Sequence, residues 1–145
     1  MLRSSSEDET MALGARLAAK GYPGMFVALY GGLGAGKTVF ARGFAREMGI
    51  GELTSPTFTI VCEHEGLLHF DAYRLTGAAE LHDIGFLDYL ARGRRILMEW
   101  PENVEDALPD ERIDVYLEGS GDAERLIRMI PHGERAAQLI REALA

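Results

Sequence analysis

The sequence has few of the features that mark secreted or membrane proteins. Cys62 is its single cysteine, so an internal disulfide is excluded and the composition favours a reducing compartment. It contains no apolar run of the length, about 18 residues, that a membrane-spanning helix needs. The amino terminus, MLRSSSEDET, is polar and acidic where a signal peptide requires an apolar segment. We therefore expect a cytoplasmic protein that does not span a membrane.

Positive charge is also scarce. Lys and Arg together number 15 against 23 Asp and Glu, which gives a formal net charge of −8. This balance argues against a large binding surface for nucleic acid phosphates, so we expect any RNA to be held by a partner. The length of 145 residues and the hydrophobic content of 47% predict one globular domain over 1–145.

Hydrophobic periodicity predicts alternating helices and strands. A capping box, Ser6 to Glu9, marks the start of the first helix. We expect helices over 7–20, from Lys37 onward, over 75–90 and over 134–144, and strands over 25–30, 58–62, 67–72, 96–98, 113–117 and 126–130. The strands 58–62 and 67–72 could form a hairpin across a turn at 63–66, and a turn is expected at 119–122. This order predicts a layered α/β domain with an antiparallel portion near the carboxyl end.

The helix expected over 75–90 has a single apolar face. Leu81 and Ile84, with Leu87 or Leu90, would lie on that face and point into the core.

A glycine-rich segment between a predicted strand and a predicted helix carries the strongest motif. Gly-Gly-Leu-Gly-Ala-Gly-Lys-Thr at 31–38 matches the phosphate-binding pattern G-x-x-x-x-G-K-[ST]. Glycines allow phosphate oxygens to approach the main chain, whose N–H groups and helix amino terminus attract the anion. The motif predicts a nucleoside triphosphate site with Mg²⁺ and leaves the base and the reaction open.

Particular roles follow for the residues of this loop. Lys37 is one of only two lysines in the chain, and its compact ammonium suits a position between the β- and γ-phosphates. Thr38 should offer its hydroxyl to Mg²⁺. We expect nucleotide contacts from Leu33, Gly34, Ala35, Gly36, Lys37, Thr38 and Val39.

A site of this type also needs an acidic residue at the end of a neighbouring buried strand. Glu99 follows the apolar run 96–98, and Asp71 ends an alternating run in which His69, Asp71 and Tyr73 share one face. The residue pattern leaves the choice between the two acids open.

Other residues that could take part in chemistry are interpreted without a catalytic role. The four histidines lack the spacing of metal ligands, so we interpret them as surface or hydrogen-bonded residues. The cluster Arg92, Arg94 and Arg95 is interpreted as a solvated face or a docking patch in preference to an arginine finger. Trp100 could belong to the core or line the site.

Five motifs in order along the chain make a more specific pattern. They are Gly-x-Leu-Gly-Ala-Gly-Lys-Thr (31–38), Thr-Ser-Pro-Thr-Phe-Thr (54–59), His-Phe-Asp-x-Tyr-Arg-Leu (69–75), Glu-Leu-x-Asp-Ile-Gly-Phe (80–86) and Glu-Trp-Pro-Glu (99–102). In this order the chain resembles the TsaE (YjeE) family of small bacterial ATPases in tRNA threonylcarbamoyladenosine biosynthesis. The resemblance covers nearly the whole chain.

The resemblance implies a P-loop NTPase fold with a mixed β-sheet, weak ATP hydrolysis, and an accessory role beside TsaD-like and TsaB-like partners. It implies phosphate and magnesium binding by Lys37 and Thr38, with Glu99 as the metal acid and Asp71 as a residue needed for activity. It also suggests Thr57 as a sensor of the γ-phosphate and, by a loose match, Thr10 as a neighbour of the adenosine.

The chain departs from the family at one position, and two other functions compete. Many members carry Asp or Glu where this chain has Gly32, so a catalytic role for that carboxylate is absent here. A small-molecule kinase carries the same loop but needs an acceptor pocket and usually an arginine-rich lid, for which 92–95 is poorly placed. A nucleotide-dependent binding module without hydrolysis is the third hypothesis, and the presence of Lys37, Thr38, Asp71 and Glu99 argues against it.

Overall fold

One seven-stranded mixed sheet with helices on both faces forms the protein. A computed structural model describes residues 2–32, 36–53, 60–120 and 124–145. The strands are β1 (Leu2–Ser4), β2 (Phe26–Tyr30), β3 (Val61–His64), β4 (Leu67–Asp71), β5 (Arg95–Glu99), β6 (Arg112–Ser120) and β7 (Glu124–His132). The helices are α1 (Glu7–Ala19), α2 (Lys37–Glu47), α3 (Ala78–Asp83), α4 (Phe86–Ala91) and α5 (Glu134–Ala143), with a 3₁₀ helix at Pro101–Ala107.

The strand order across the sheet is β1-β7-β6-β2-β5-β4-β3. The central strands β4, β5, β2 and β6 run parallel, whereas β3, β7 and β1 each pair antiparallel with a neighbour. The parallel strands therefore end at one common edge of the sheet. In open α/β sheets ligands bind outside this carboxyl edge, and the loop after β2 begins there.

Two apolar clusters fill the space between the sheet and its helices. One cluster joins α1, α2 and α5 to one face of the sheet, and the other joins α3, α4 and the 3₁₀ helix to the opposite face. Helices α1 and α2 approach closely because Gly14 and Gly43 lie at their contact. A side-chain carbon at either glycine would collide with the backbone of the facing helix.

Most predicted elements are confirmed. Helix α1 begins after Ser6, whose hydroxyl accepts a hydrogen bond from the Glu9 N–H at 3.1 Å. The Glu9 carboxylate accepts from the N–H of Ser5 at 2.7 Å, one residue before the position that a capping box uses. Strands β3 and β4 form the expected hairpin, although β3 continues through His64 into the expected turn. Residues 58 and 59 of the predicted strand lie outside the described residues.

The single helix expected over 75–90 was wrong. Two short helices, α3 and α4, meet at Gly85, which has a left-handed backbone with φ of +87°. The break changes which side chains point inward: Leu81 is buried and Leu90 is half-buried, whereas Leu87 is 65% exposed and Ile84 is 36% exposed.

The carboxyl-terminal hairpin is longer than the hydrophobic pattern predicts. Strand β6 continues to Ser120 and β7 begins at Glu124, so 119–120 of the expected turn belong to a strand. Strand β1 and the 3₁₀ helix were not predicted, because a three-residue strand and a seven-residue 3₁₀ segment are too short to show a period. Within the four described ranges, no helix has both the length and the apolar content to cross a membrane.

Candidate functional site: the carboxyl edge around the phosphate loop

The glycine-rich loop connects β2 to α2, as predicted. Gly31 follows the last residue of β2, and Gly36 precedes α2 with a φ of +98° that favours glycine. The carbonyl of Gly36 accepts a hydrogen bond from the Phe40 N–H at 2.9 Å, which starts the helix. Leu33, Gly34 and Ala35, which we expected to contact the nucleotide, lie outside the described residues.

Lys37, the first residue of α2, is buried at the end of the sheet. Only 6% of the surface of Lys37 is exposed to solvent, and its Nζ has no hydrogen-bond partner among the described residues. Burial lowers the pKa of Lys37, against the opposing effect of carboxylates that include Glu99 and Asp71. Burying an ammonium group costs free energy unless an anion pairs with it. Its environment therefore fits a phosphate ligand.

Trp100 lies directly beneath this ammonium. The Nζ of Lys37 is 3.8 Å from the centroid of the indole ring, a cation–π geometry. Trp100 is the one non-glycine residue with a positive φ, +59°, in the described part of the chain. Such strain in a non-glycine residue often accompanies a functional site. Of the two interpretations of Trp100, the structure supports the one that lines the site.

Glu99 ends β5 next to the loop and is almost fully buried. Its Oε2 lies 2.7 Å from the Nε2 of His69 on the adjacent strand β4, and both side chains are shielded from solvent. This contact holds one carboxylate oxygen in a fixed position at the carboxyl edge.

Asp71 is the direct neighbour of Glu99 across the sheet, since the two residues are paired in the register of β4 and β5. Its Oδ1 accepts a hydrogen bond from the Tyr73 N–H at 3.0 Å. Burial raises the pKa of Asp71, and the nearby charge of Glu99 acts in the same direction. The following turn is fastened by the amide of Asn103, which donates to the carbonyls of Ala72 and Tyr73 at 3.0 and 3.2 Å.

The residues of this edge fit Mg²⁺ held mainly by substrate. Among residues 2–32, 36–53, 60–120 and 124–145, no group of three or more His, Cys, Asp or Glu side chains is placed to hold a metal ion. Mg²⁺ commonly takes one or two protein oxygens, several waters and the phosphates of a nucleotide. Thr38, exposed in the first turn of α2, and Glu99 can supply those protein oxygens.

For the remaining residues predicted to contact the nucleotide, the structure gives a position and no test of their roles. Thr10 is buried in α1, and its hydroxyl is 2.7 Å from that of Ser4. Val39 is half-buried in the first turn of α2. Thr57 lies outside the described residues. The roles of these residues therefore stay predictions.

Similarity to known proteins identifies the family. The model of the family described as "Threonylcarbamoyl adenosine biosynthesis protein TsaE" matches residues 4–127. The chain belongs to the TsaE family. Membership gives it a role in the biosynthesis of tRNA threonylcarbamoyladenosine, and the fold is that of a P-loop NTPase.

Individual TsaE proteins resemble the chain over most of their length. The tRNA threonylcarbamoyladenosine biosynthesis protein TsaE of Bacillus subtilis is 39% identical over 145 residues, which cover 97% of this chain and 90% of the relative. The TsaE protein of Rickettsia conorii is 36% identical, with 92% of this chain and 79% of the relative covered. The crystal structure of YdiB from B. subtilis superposes with a TM-score of 0.83 at 35% identity, covering 99% of this chain and 92% of that one.

His69 is the member of this TsaE site that residue patterns missed. We interpreted it as a surface or hydrogen-bonded histidine, and the structure confirms a hydrogen bond, but to the candidate metal acid. The available signal was its position two residues before Asp71 on the same face of β4.

The arginine cluster of this TsaE chain lies at the opposite edge of the sheet. Arg92 and Arg94 both contact Glu63 of β3, at 2.8 and 3.4 Å. Arg95 begins β5 and donates to the carbonyl of Ala18 at 2.8 Å. Because Glu99 ends the same strand at the loop, the cluster is separated from the phosphate site by the length of β5.

Proposed function

We propose that this TsaE chain binds ATP and ADP with Mg²⁺, hydrolyses ATP weakly, and acts as an accessory subunit in the threonylcarbamoyl modification of the tRNA adenosine adjacent to the anticodon. It works in the cytoplasm with TsaD-like and TsaB-like partners.

The observation that carries the proposal is the buried ammonium of Lys37. It lies at the start of α2, at the carboxyl edge, without a hydrogen-bond partner in the described part of the chain. The phosphates of a nucleotide would supply the missing anion, since the amino terminus of α2 lies at the same place. The left-handed backbone of Gly36, which favours glycine, fits the glycine that the phosphate-binding motif requires before its lysine.

Hydrolysis requires a metal acid and a group that directs water. When bound, Mg²⁺ neutralises phosphate charge and stabilises the transition state electrostatically. Glu99, held by His69, is the proposed metal acid together with Thr38. Asp71, the neighbour of Glu99, orients water or the segment 54–59, in which Thr57 senses the γ-phosphate. We further assign Thr10 to the nucleoside end of the site.

The partners follow from charge as well as from family. A chain with a net charge of −8 has few cations to neutralise tRNA phosphates. We therefore assign tRNA binding to the TsaD-like and TsaB-like subunits, with the nucleotide state of this chain altering its affinity for them.

The structure argues against the kinase hypothesis. An arginine-rich lid must reach the transferred phosphoryl group, whereas Arg92 and Arg94 pair with Glu63 at the opposite edge of the sheet. Arg92, Arg94 and Arg95 are the arginines that the sequence offered as such a lid.

The test is phosphate release from ATP by the chain alone, then with TsaD-like and TsaB-like partners and tRNA. We expect slow release alone and faster release in the complete mixture. A Lys37→Ala variant, checked for folding, should release no phosphate. Transfer of phosphate to a small-molecule acceptor would instead establish a kinase, and tight ATP binding without release in every mixture would establish a binding module.

A further inference from the structure

We propose that Arg125 of β7 is a second cation of the nucleotide site and contacts phosphate oxygens from the side of the loop opposite Lys37. This inference rests on the proposed function, because it assigns a residue to the same nucleotide. Arg125 belongs to none of the five motifs on which that function was based.

The position of Arg125 follows from the unequal lengths of β2 and β6. The two strands are paired up to Tyr30 and Tyr116, after which β2 turns into the loop while β6 continues to Ser120. Arg125 pairs with Gly119, three residues beyond Tyr116, which corresponds to about 10 Å of strand. The β6–β7 hairpin therefore extends beside the loop.

The side chain of Arg125 points to the face of the sheet that carries the loop and α2. Its neighbours at alternate positions, Ile127 and Met129, belong to the apolar cluster beneath α1 and α2. Arg128 lies on the other face, with its guanidinium 4.7 Å from the Tyr116 ring centroid. The two arginines of one strand thus serve opposite faces.

The contact with the loop is direct. A side-chain carbon built on Gly36 would lie 3.3 Å from the Nε of Arg125 and 3.7 Å from its Cδ and Cγ. Gly36 immediately precedes Lys37, so the arginine side chain packs against the residue that opens α2. Its Nη1 also donates to the carbonyl of Glu124 at 2.7 Å, which fixes part of the guanidinium.

The two cations reach the start of α2 from opposite sides of β2. Lys37 lies over Trp100, which follows β5 on one side of β2, whereas Arg125 comes from β7 on the other side. A guanidinium presents several N–H donors in a planar arrangement that matches phosphate oxygens. Two fixed cations, one on each side of the phosphates, would neutralise the several negative charges of a nucleotide better than one cation. The alternative is a structural role, in which Arg125 supports the start of α2 through its packing against Gly36.

Binding measurements distinguish these roles. The probes are MgADP and inorganic tripolyphosphate, which lacks base and ribose, measured by calorimetry on the full chain. We expect Arg125→Gln to weaken both by about tenfold or more, since hydrogen bonds to charged groups are at stake. Arg125→Lys, which keeps the charge, should lose less. Arg128→Gln is the matched control and should leave both affinities unchanged.

Each other result has a definite meaning. A folded Arg125→Gln variant with wild-type affinity for both probes overturns the proposal, as does a loss of ADP affinity with tripolyphosphate binding intact. An equal loss in Arg125→Lys and Arg125→Gln, accompanied by reduced stability without ligand, assigns Arg125 the packing role. If the wild-type chain binds neither ATP nor ADP, the proposed function itself fails.

Discussion

The imidazole of His69 and the carboxylate of Glu99 form a buried hydrogen bond of 2.7 Å between adjacent strands. His69 does not face solvent, so its main contribution is to hold the Glu99 carboxylate at the edge where the phosphate loop begins. The candidate metal acid is therefore already oriented in the absence of a metal ion, which would reduce the reorganisation that metal binding requires.

The first prediction is that His69→Leu destabilises the protein. Removing the imidazole leaves a buried carboxylate without its partner, at a cost of about 1–3 kcal/mol. The free energy of unfolding in urea measures this cost. His82→Leu, at an exposed position of α3, is the control and should change it by less than about 0.5 kcal/mol. Equal stability of His69→Leu and wild type would show that the contact holds nothing in place.

The second prediction is that Lys37→Met abolishes nucleotide binding yet stabilises the chain without ligand. Burial disfavours the charged form of Lys37 and lowers its pKa, so an apolar side chain should raise the free energy of unfolding by roughly 1 kcal/mol. Calorimetric titration with ADP and urea unfolding measure the two effects. Retained ADP affinity in the variant would remove the central argument for the site.

The pH dependence of this variant provides a further check. The folded chain releases the Lys37 proton at a lower pH than the unfolded chain, whose lysines titrate near 10.5. Between these two values the unfolded state binds more protons, so wild-type stability contains a contribution that rises with pH. Lys37→Met should lack this contribution in alkaline solution.

The third prediction separates the two acids. Glu99→Gln should weaken the magnesium dependence of ADP binding, because Glu99 is the proposed metal acid, whereas Asp71→Asn should chiefly reduce ATP turnover. Affinities measured with Mg²⁺ and with EDTA, together with phosphate release, distinguish the effects. If Asp71→Asn alone removes the magnesium dependence, the two roles must be exchanged.

The fourth prediction concerns Asp71 and stability. Its pKa is raised in the folded state, mainly by burial, so the folded chain holds this proton to a higher pH than the unfolded chain. The contribution of Asp71 to stability therefore falls as pH rises from about 3.8 through the folded value. Asp71→Asn should be more stable than wild type at pH 7, with the gain shrinking in acid. Thermal unfolding between pH 4 and 7, in steps of about half a unit, measures it.

The fifth prediction is that the isolated chain binds tRNA weakly. Its net charge of −8 provides little counterion release from RNA. Titration of labelled tRNA at about 0.15 M salt, with the chain alone and with the partner complex, measures the difference. Tight and strongly salt-dependent binding by the chain alone would point to a direct action on RNA.

Residue patterns alone determined a large part of this protein. The loop at 31–38, its position between a buried strand and a helix, and the acids Asp71 and Glu99 all follow from local order and spacing. These features depend on neighbours along the chain, where glycine conformation and side-chain period have direct signatures. The family follows from the same kind of information, because its motifs are short and ordered.

The tertiary structure decided which distant residues meet. Lys37 contacts Trp100, His69 contacts Glu99, and Arg125 lies against Gly36, yet each pair is far apart in the chain. Such pairs depend on strand register and on the number of residues by which β6 extends beyond the end of β2. No local pattern specifies either quantity, since register is set by the packing of whole faces of the sheet. The break at Gly85 was also missed, because the apolar period continues through this residue while its left-handed backbone separates α3 from α4.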